Sequence, residues 1–166
     1  MMSQAEIIQS LQNQLFFTTA ANVFVILDGA SVPLLLEQLE RYQPEYDCLY
    51  RGQLTRDLAE VVPYLVRLEK DSELLKWILE QGYGQHWGIF AVAPVNLRIL
   101  RQHFRHLLTI QDPDGNSFYF RFYDPRVFRV YLPTCHTREK QQLFGPVIRY
   151  LVEDEDQDQA LLSFSP

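Results

Sequence analysis

The sequence predicts an α/β fold of mixed α+β character: a central mixed β-sheet flanked by helices, with a C-terminal β-hairpin and short helices. Three observations carry this. Two apolar runs, VFVIL at 23–27 and WGIFAV at 87–92, are continuous rather than alternating, which is the pattern of strands covered on both faces. Each run is followed by a proline, Pro33 or Pro94, and then by apolar residues at helical spacing, the opening of a strand–helix unit. Finally, Asp112-Pro113-Asp114-Gly115-Asn116 is a turn, since Pro113 fixes φ early and Gly115 accepts positive φ. Ser117 to Tyr123 then alternates, with Phe118, Phe120 and Phe122 on one side and Tyr119, Arg121 and Tyr123 on the other. With Leu107 to Gln111 as partner strand this makes a hairpin, and its two bulky faces are both expected to be at least partly covered.

The remaining elements follow in order. Ser3-Gln-Ala-Glu6 is a capping-box signature, and Ile7, Ile8, Leu11 and Leu15 continue it as a helix. After the first buried strand, closed by Asp28-Gly29, Pro33 opens a helix with Leu35, Leu36, Leu39 and Tyr42 on one face. Tyr46 to Tyr50 is a short strand, Thr55 caps a helical turn, and Pro63 to Leu68 is a further strand. Asp71 or Ser72 caps a helix striped by Leu74, Leu75, Ile78 and Leu79, ending at Gly82 or Gly84. The helix after Pro94 buries Leu97, Leu100, Phe104 and Leu107 and carries Arg98, Arg101 and Arg105 along another side. Asp124 caps a short helix over Pro125 to Val130, stopped by Pro133; Thr137 to Leu143 is a polar helix broken at Phe144-Gly145-Pro146, and Val147 to Val152 is a strand. Residues 1–152 read as a single domain, and 153–166 as an acidic linker and short C-terminal tail.

The 166 residues are 47% hydrophobic and 13% aromatic, enough for a sizeable core and against disorder. The net charge of −6 is unevenly placed: residues 1–97 carry six basic and twelve acidic groups (−6), 98–149 nine and four (+5), and 150–166 none and five (−5). Twelve of the fifteen basic residues are arginine, which suits paired and interface contacts. An acidic chain repels phosphate at long range, so nucleic acid is not an expected partner. No apolar window reaches membrane-spanning length and no secretory leader is expected from MMSQAEII, so a cytoplasmic protein with free thiols at Cys48 and Cys135 is expected.

Motifs of phosphate-binding loops, nucleophile elbows and zinc proteases are absent. His103 and His106 lie one helical turn apart, but no CxxC or paired acidic ligand accompanies them, so neither metal nor cofactor is expected. Arg121, Asp124, Arg126 and Arg129 fall within nine residues. They read either as an ion-pair network bracing a corner or as a recognition corner for an acidic partner group, with His103, Arg105 and His106 placed to join Asp124. Asp28, on a loop after a buried strand, is where an α/β site would sit.

The chain resembles the adaptor chaperones of the bacterial type VI secretion system, a family first grouped as a domain of unknown function. The resemblance rests on Leu27-Asp28-Gly29-Ala30, Cys48-Leu49-Tyr50-Arg51-Gly52, Val62-Pro63-Tyr64-Leu65-Val66, Trp77, Trp87-Gly88-Ile89-Phe90, His103-Phe104-Arg105, Asp114-Gly115, Phe120-Arg121-Phe122-Tyr123-Asp124-Pro125-Arg126 and Leu143-Phe144-Gly145-Pro146, in this order from about residue 22 to 150. It implies a non-enzymatic adaptor that binds an effector toxin near the toxin's N-terminal region and helps load it onto the VgrG spike, with no cofactor and no membrane partner. His103, Arg105, Arg121, Asp124 and Arg126 match motif positions and are expected either to contact the partner or to brace the fold. Asp28, Gly29, Pro63, Tyr64, Trp87, Gly88, Gly115, Pro125, Phe144, Gly145 and Pro146 are expected to be structural. With only an acidic stretch after residue 150, a minimal member is expected. Two other readings compete: an α/β hydrolase using Asp28, Asp124 and a histidine, and a peptide- or small-ligand-binding regulatory domain.

Overall fold

The computed structural model describes residues 1–157 and 159–166. In chain order its elements are α1 (Gln4–Leu15), β1 (Asn22–Asp28), α2 (Leu35–Tyr42), β2 (Tyr46–Cys48), α3 (Arg56–Ala59), β3 (Pro63–Leu68), α4 (Glu73–Gly82), β4 (Gly88–Ala93), α5 (Leu97–Leu107), β5 (Thr109–Gln111), β6 (Ser117–Tyr119), α6 (Pro125–Tyr131), a 3-10 turn (Leu132–Thr134), α7 (Thr137–Phe144), β7 (Arg149–Glu153) and β8 (Leu161–Phe164). Short polar side chains set most helix starts by taking an otherwise unpaired first-turn N–H. Ser3 and Glu6 close a reciprocal capping box on α1, Ser72 caps α4, Asn96 caps α5 and Asp124 caps α6. Asn96 thus starts α5 at Leu97 rather than at Pro94. His136 caps α7, its Nδ1 accepting the Glu139 N–H at 3.2 Å.

Among the described residues six strands form one sheet in the order β2-β3-β1-β4-β7-β8, and its pairings are all antiparallel. The strand–helix openings at β1 and β4 carried the expectation of a mixed sheet. The β1 opening returns through α2 to β2, which runs parallel in direction to β1, but β3 inserts between them and is antiparallel to both; β7 pairs antiparallel with β4, so every neighbouring pair is antiparallel. The continuous apolar runs have a different cause: helices cover both faces of an antiparallel sheet. On one face α1, α2 and α4 pack Leu11, Leu15, Leu39 and Leu75 against Val25, Leu27 and Val66. On the other, α5, α6 and α7 pack Phe104, Phe128 and Phe144 around Ile26, Ala91 and Tyr150. Phe128 and Phe144 each sit 4.9 Å from the fully buried Tyr150 ring.

Two segments differ from expectation. Residues 153–166, expected as linker and tail, contain the sixth strand: β8 pairs with β7 from Tyr150↔Phe164 to Glu153↔Leu161. Leu161 is buried in one core and Phe164 packs on Phe128 at 5.7 Å in the other. The apolar side chains of Leu161 and Phe164, one for each core, decide this, and the acidic run before them is the connection between two strands. Asp158, the end of the expected linker, lies outside the described residues. The hairpin also differs. Its ladder spans only Thr109↔Tyr119 to Gln111↔Ser117, and both strands are exposed rather than covered. Phe122 and Tyr123 are buried, but in the loop leading to α6, where Phe122 stacks on Phe104 at 5.4 Å.

Candidate functional site

At the end of β1 the Asp28 carboxylate is almost fully buried and saturated with donors. It accepts from the Ala30 N–H at 3.0 Å, the Ser31 hydroxyl at 2.8 Å and Arg121 Nη2 at 2.5 Å. The Arg121 pKa is raised from its ordinary value: burial works against its charge, and the Asp28 carboxylate opposite, with Tyr123 and Asp124 nearby, outweighs it. Beside this pair the Tyr119 and Tyr123 hydroxyls meet at 2.9 Å. Burial pushes both phenols up, Tyr123 most strongly.

Asp124 starts α6. One carboxylate oxygen accepts the Arg126 N–H at 2.9 Å and Arg126 Nε at 3.0 Å, and the other accepts Arg126 Nη2 at 2.9 Å. This is a bidentate fork combined with a helix cap. Burial opposes ionisation of Asp124, but the Arg126 hydrogen bonds and charge outweigh it and hold the carboxyl below its ordinary value. Arg126 itself remains more than half exposed.

The five residues expected at one corner therefore separate into four arrangements. Arg121 goes to Asp28, and Arg126 goes to Asp124. Arg105 does not join them; its Nη2 donates to the Cys48 carbonyl at 3.0 Å, tying α5 to β2. His103 is bound through Nε2 to the Leu143 carbonyl at 3.0 Å, and burial holds its pKa below the usual imidazole value. Arg129, the remaining arginine of the run, donates to the Glu153 carbonyl at 2.8 Å and reaches Glu155. The hydrolase reading needs a histidine at Asp28 or Asp124. Both carboxylates are engaged by arginines, while His86 and His136 face Glu153 and Glu139. Among the described residues no three His, Cys, Asp or Glu side chains gather as a metal site would need, and no helix is long and apolar enough to cross a membrane.

Several of the residues expected to be structural occupy close approaches. A Cβ on Gly88 would collide with the Ile26 carbonyl across the β1–β4 ladder, and one on Gly145, at φ 49°, would collide with the His103 ring. Gly29 donates to the Val62 carbonyl at 3.1 Å, Pro63 pairs with Asp28, and the Tyr64 hydroxyl donates to the Ala59 carbonyl at 2.5 Å. Trp87 packs on Trp77 at 4.8 Å, Pro125 is the first residue of α6, Gly115 holds the hairpin turn at φ 83°, and Phe144, two residues before Pro146, packs its ring on Tyr150.

Features the sequence did not point to also emerge. Glu153 is buried and accepts the Gly84 and His86 N–H groups at 2.8 and 3.2 Å. Asp47 pairs with Arg101, giving the arginine stripe on α5 a partner on the edge strand β2. Alternation alone could not find either, because the partners lie 67 and 54 residues apart. The exposed surface of the hairpin is the third: Ile110, Phe118 and Tyr119 are 44, 51 and 58% exposed, with Ile110 directly opposite Phe118. Large apolar side chains on a projecting ribbon are the kind of surface that a partner covers.

The family model described as "Domain of unknown function (DUF4123)" matches residues 23–142, from β1 into α7. No curated protein and no solved structure matches the chain. The matched span holds the Asp28–Arg121 pair, the Asp124–Arg126 fork and the exposed ribbon, and it covers well over half of the 166 residues, so the chain belongs to the DUF4123 family.

Proposed function

We propose that this chain is a non-enzymatic adaptor chaperone of bacterial type VI secretion, acting in the cytoplasm, which binds an effector toxin near the toxin's N-terminal region and helps load it onto the VgrG spike. The observation that carries the reading is the exposed aromatic ribbon β5–β6 within the family-matched span. Its side chains contribute little to either core, and they offer the aromatic anchors on which protein interfaces concentrate binding energy. The two arginine–aspartate pairs beside it act as braces: each buried carboxylate would be costly without its partner. The arginine heads are partly exposed, so they are open to a partner's acidic groups.

The test is capture from lysate of a host expressing its secretion system, with the full chain as bait and mass spectrometry as readout. Recovery of a spike protein or a toxin is expected. Recovery of neither would return the hydrolase and ligand-binding readings to the front.

A further inference from the structure

The edge strand β2 and the ribbon strand β5 are finished differently. In β2 the Leu49 N–H donates to the Pro63 carbonyl and the Glu45 carbonyl accepts the Arg67 N–H, so odd-numbered residues face β3 and Cys48 faces outward. The Cys48 carbonyl takes Arg105 Nη2 at 3.0 Å and its N–H donates to the Asp47 carboxylate at 2.8 Å; Asp47 also pairs with Arg101. Side chains and charge thus blunt that edge at Cys48. In the ribbon the Phe120 N–H donates to the Leu108 carbonyl at 2.7 Å and the Asp112 N–H to the Asn116 carbonyl at 2.9 Å, so even-numbered residues hold the two strands together. Thr109 and Gln111 of β5 turn their backbone N–H and carbonyl groups outward. Among the described residues these groups have no partner, and the exposed Thr-Ile-Gln carries no charge or proline to deter pairing. A cleft of about 270 Å3 opens beside β5, lined by His106, Ile110, Phe120, Tyr131, Gln142 and Leu143 among others, with no residue of β6. It is smaller than the roughly 300–1,000 Å3 of small-ligand pockets, so a side chain fits it better than a free ligand. The carboxylate at its rim, Glu139, is already bonded to His136, so an uncharged side chain suits it. Two ribbons paired edge to edge would join only three residues from each copy, far short of the ~800 Å2 per partner of a stable dimer.

We propose that β5 and the cleft beside it together take an extended segment of a partner protein. The backbone of that segment pairs with Thr109 and Gln111, and one of its alternate apolar side chains enters the cleft against Ile110, Phe120 and Tyr131. Backbone pairing supplies the affinity in this mode and the side chain in the cleft sets the register. The inference rests on the partner-binding reading above and adds which edge of the ribbon is used and what the partner presents to it.

The closing experiment uses the full chain and a synthetic ten-residue peptide of alternating leucine and threonine at millimolar concentration, followed by calorimetry and amide hydrogen exchange, so it needs neither spike nor toxin. Expected results are binding and slowed exchange at the Thr109 and Gln111 amides. Gln111→Pro removes an outward N–H while leaving the β6 ladder intact, as proline is tolerated on the solvent side of an edge. It should bind about tenfold more weakly or worse. Ser117→Pro, which alters the opposite edge of the ribbon, should bind like the wild type. No binding, binding unaffected by Gln111→Pro, or slowed exchange at Ser117 and Tyr119 in place of Thr109 and Gln111 would each overturn the proposal. So would a dimer of the wild type, seen by sedimentation, that Gln111→Pro dissociates, because a second copy would then be the occupant. If Gln111→Pro fails to fold, the same peptide N-methylated at every residue decides: it cannot donate to the edge and should not bind the wild type, and equal binding overturns the proposal. Failure here with spike captured overturns the edge site alone; success here with no spike captured overturns the adaptor reading alone.

Discussion

At Gly145 the backbone takes φ 49°, and the His103 ring fills the space where a side chain would begin. The glycine of the Phe-Gly-Pro motif and the histidine of the His-Phe-Arg motif therefore answer to one packing constraint, although they lie on different elements. Gly145→Ala is expected to cost about 2–3 kcal/mol in urea unfolding, and His103→Ala in the same chain should recover part of that loss, a coupling that separated sites would not show. His103 also sets a pH dependence. Its folded pKa lies below the ordinary imidazole value of 6.5, so the fold favours the neutral ring. The stability this provides is present above pH 6.5 and is lost as pH falls through the lower folded value. The unfolding midpoint should drop between pH 7 and 5, and His103→Gln should drop less; equal slopes would sink the assignment. Asp124 obeys the same sign at lower pH, its contribution fading below about 3.8. Asp124→Ala removes a helix cap and a fork to a half-exposed arginine, so a loss of about 1–2 kcal/mol is expected rather than unfolding. If the variant melts normally and no longer captures its partner, the fork is an interface group rather than a brace.

At the scale of elements, the ribbon β5–β6 stands apart from the rest. A two-stranded hairpin with both faces in water is marginal alone, and its amides should exchange much faster than those of β1 and β4. Replacing Ile110 and Phe118 together by serine removes apolar area that the folded chain leaves largely exposed, so stability should change by about 1 kcal/mol or less while capture of the partner is lost. A folded double variant that still captures the partner would place the contact elsewhere. This ribbon also marks where the sequence stops being legible. The DPDGN turn and the alternation after it are local signals, and they located the hairpin. Whether a face is covered depends on what packs there, and nothing local distinguishes the exposed Phe118 from the buried Phe122 four residues on. The strand over Pro63–Leu68 and the Asp124 cap were legible for the opposite reason, since a burial run and a capping side chain act within a few residues. The candidate site was legible as residue types only. The motif named Arg121 and Asp124 as neighbours, but the partner of Arg121 is Asp28, 93 residues away.

For the whole molecule, the decisive question is where the domain ends. Acidic residues from Glu153 onward read as a solvated linker, because charge is the strongest local signal there. The fold uses the stretch differently. Glu153 is buried as an acceptor for the loop at Gly84 and His86, and its carbonyl takes Arg129 of α6. The Tyr83 hydroxyl bonds the Ala160 carbonyl at 2.6 Å and accepts the Ala160 N–H at 3.0 Å. Leu161 and Phe164 then enter the cores on opposite faces of the sheet. A chain ending after Glu153 would lose both apolar anchors, strip Tyr83 of its partners and leave β7 as a bare edge. Each buried leucine or phenylalanine contributes about 1.5–3 kcal/mol, so the truncated chain should be destabilised by about 3 kcal/mol or more, read as a lower urea midpoint. Restoring residues 154–166 with Leu161 and Phe164 changed to serine should recover little of this, because the connection without its anchors has nothing to hold it to the sheet. A truncated chain that unfolds at the wild-type midpoint would show that 153–166 is an appendage; a large drop makes β8 part of the domain.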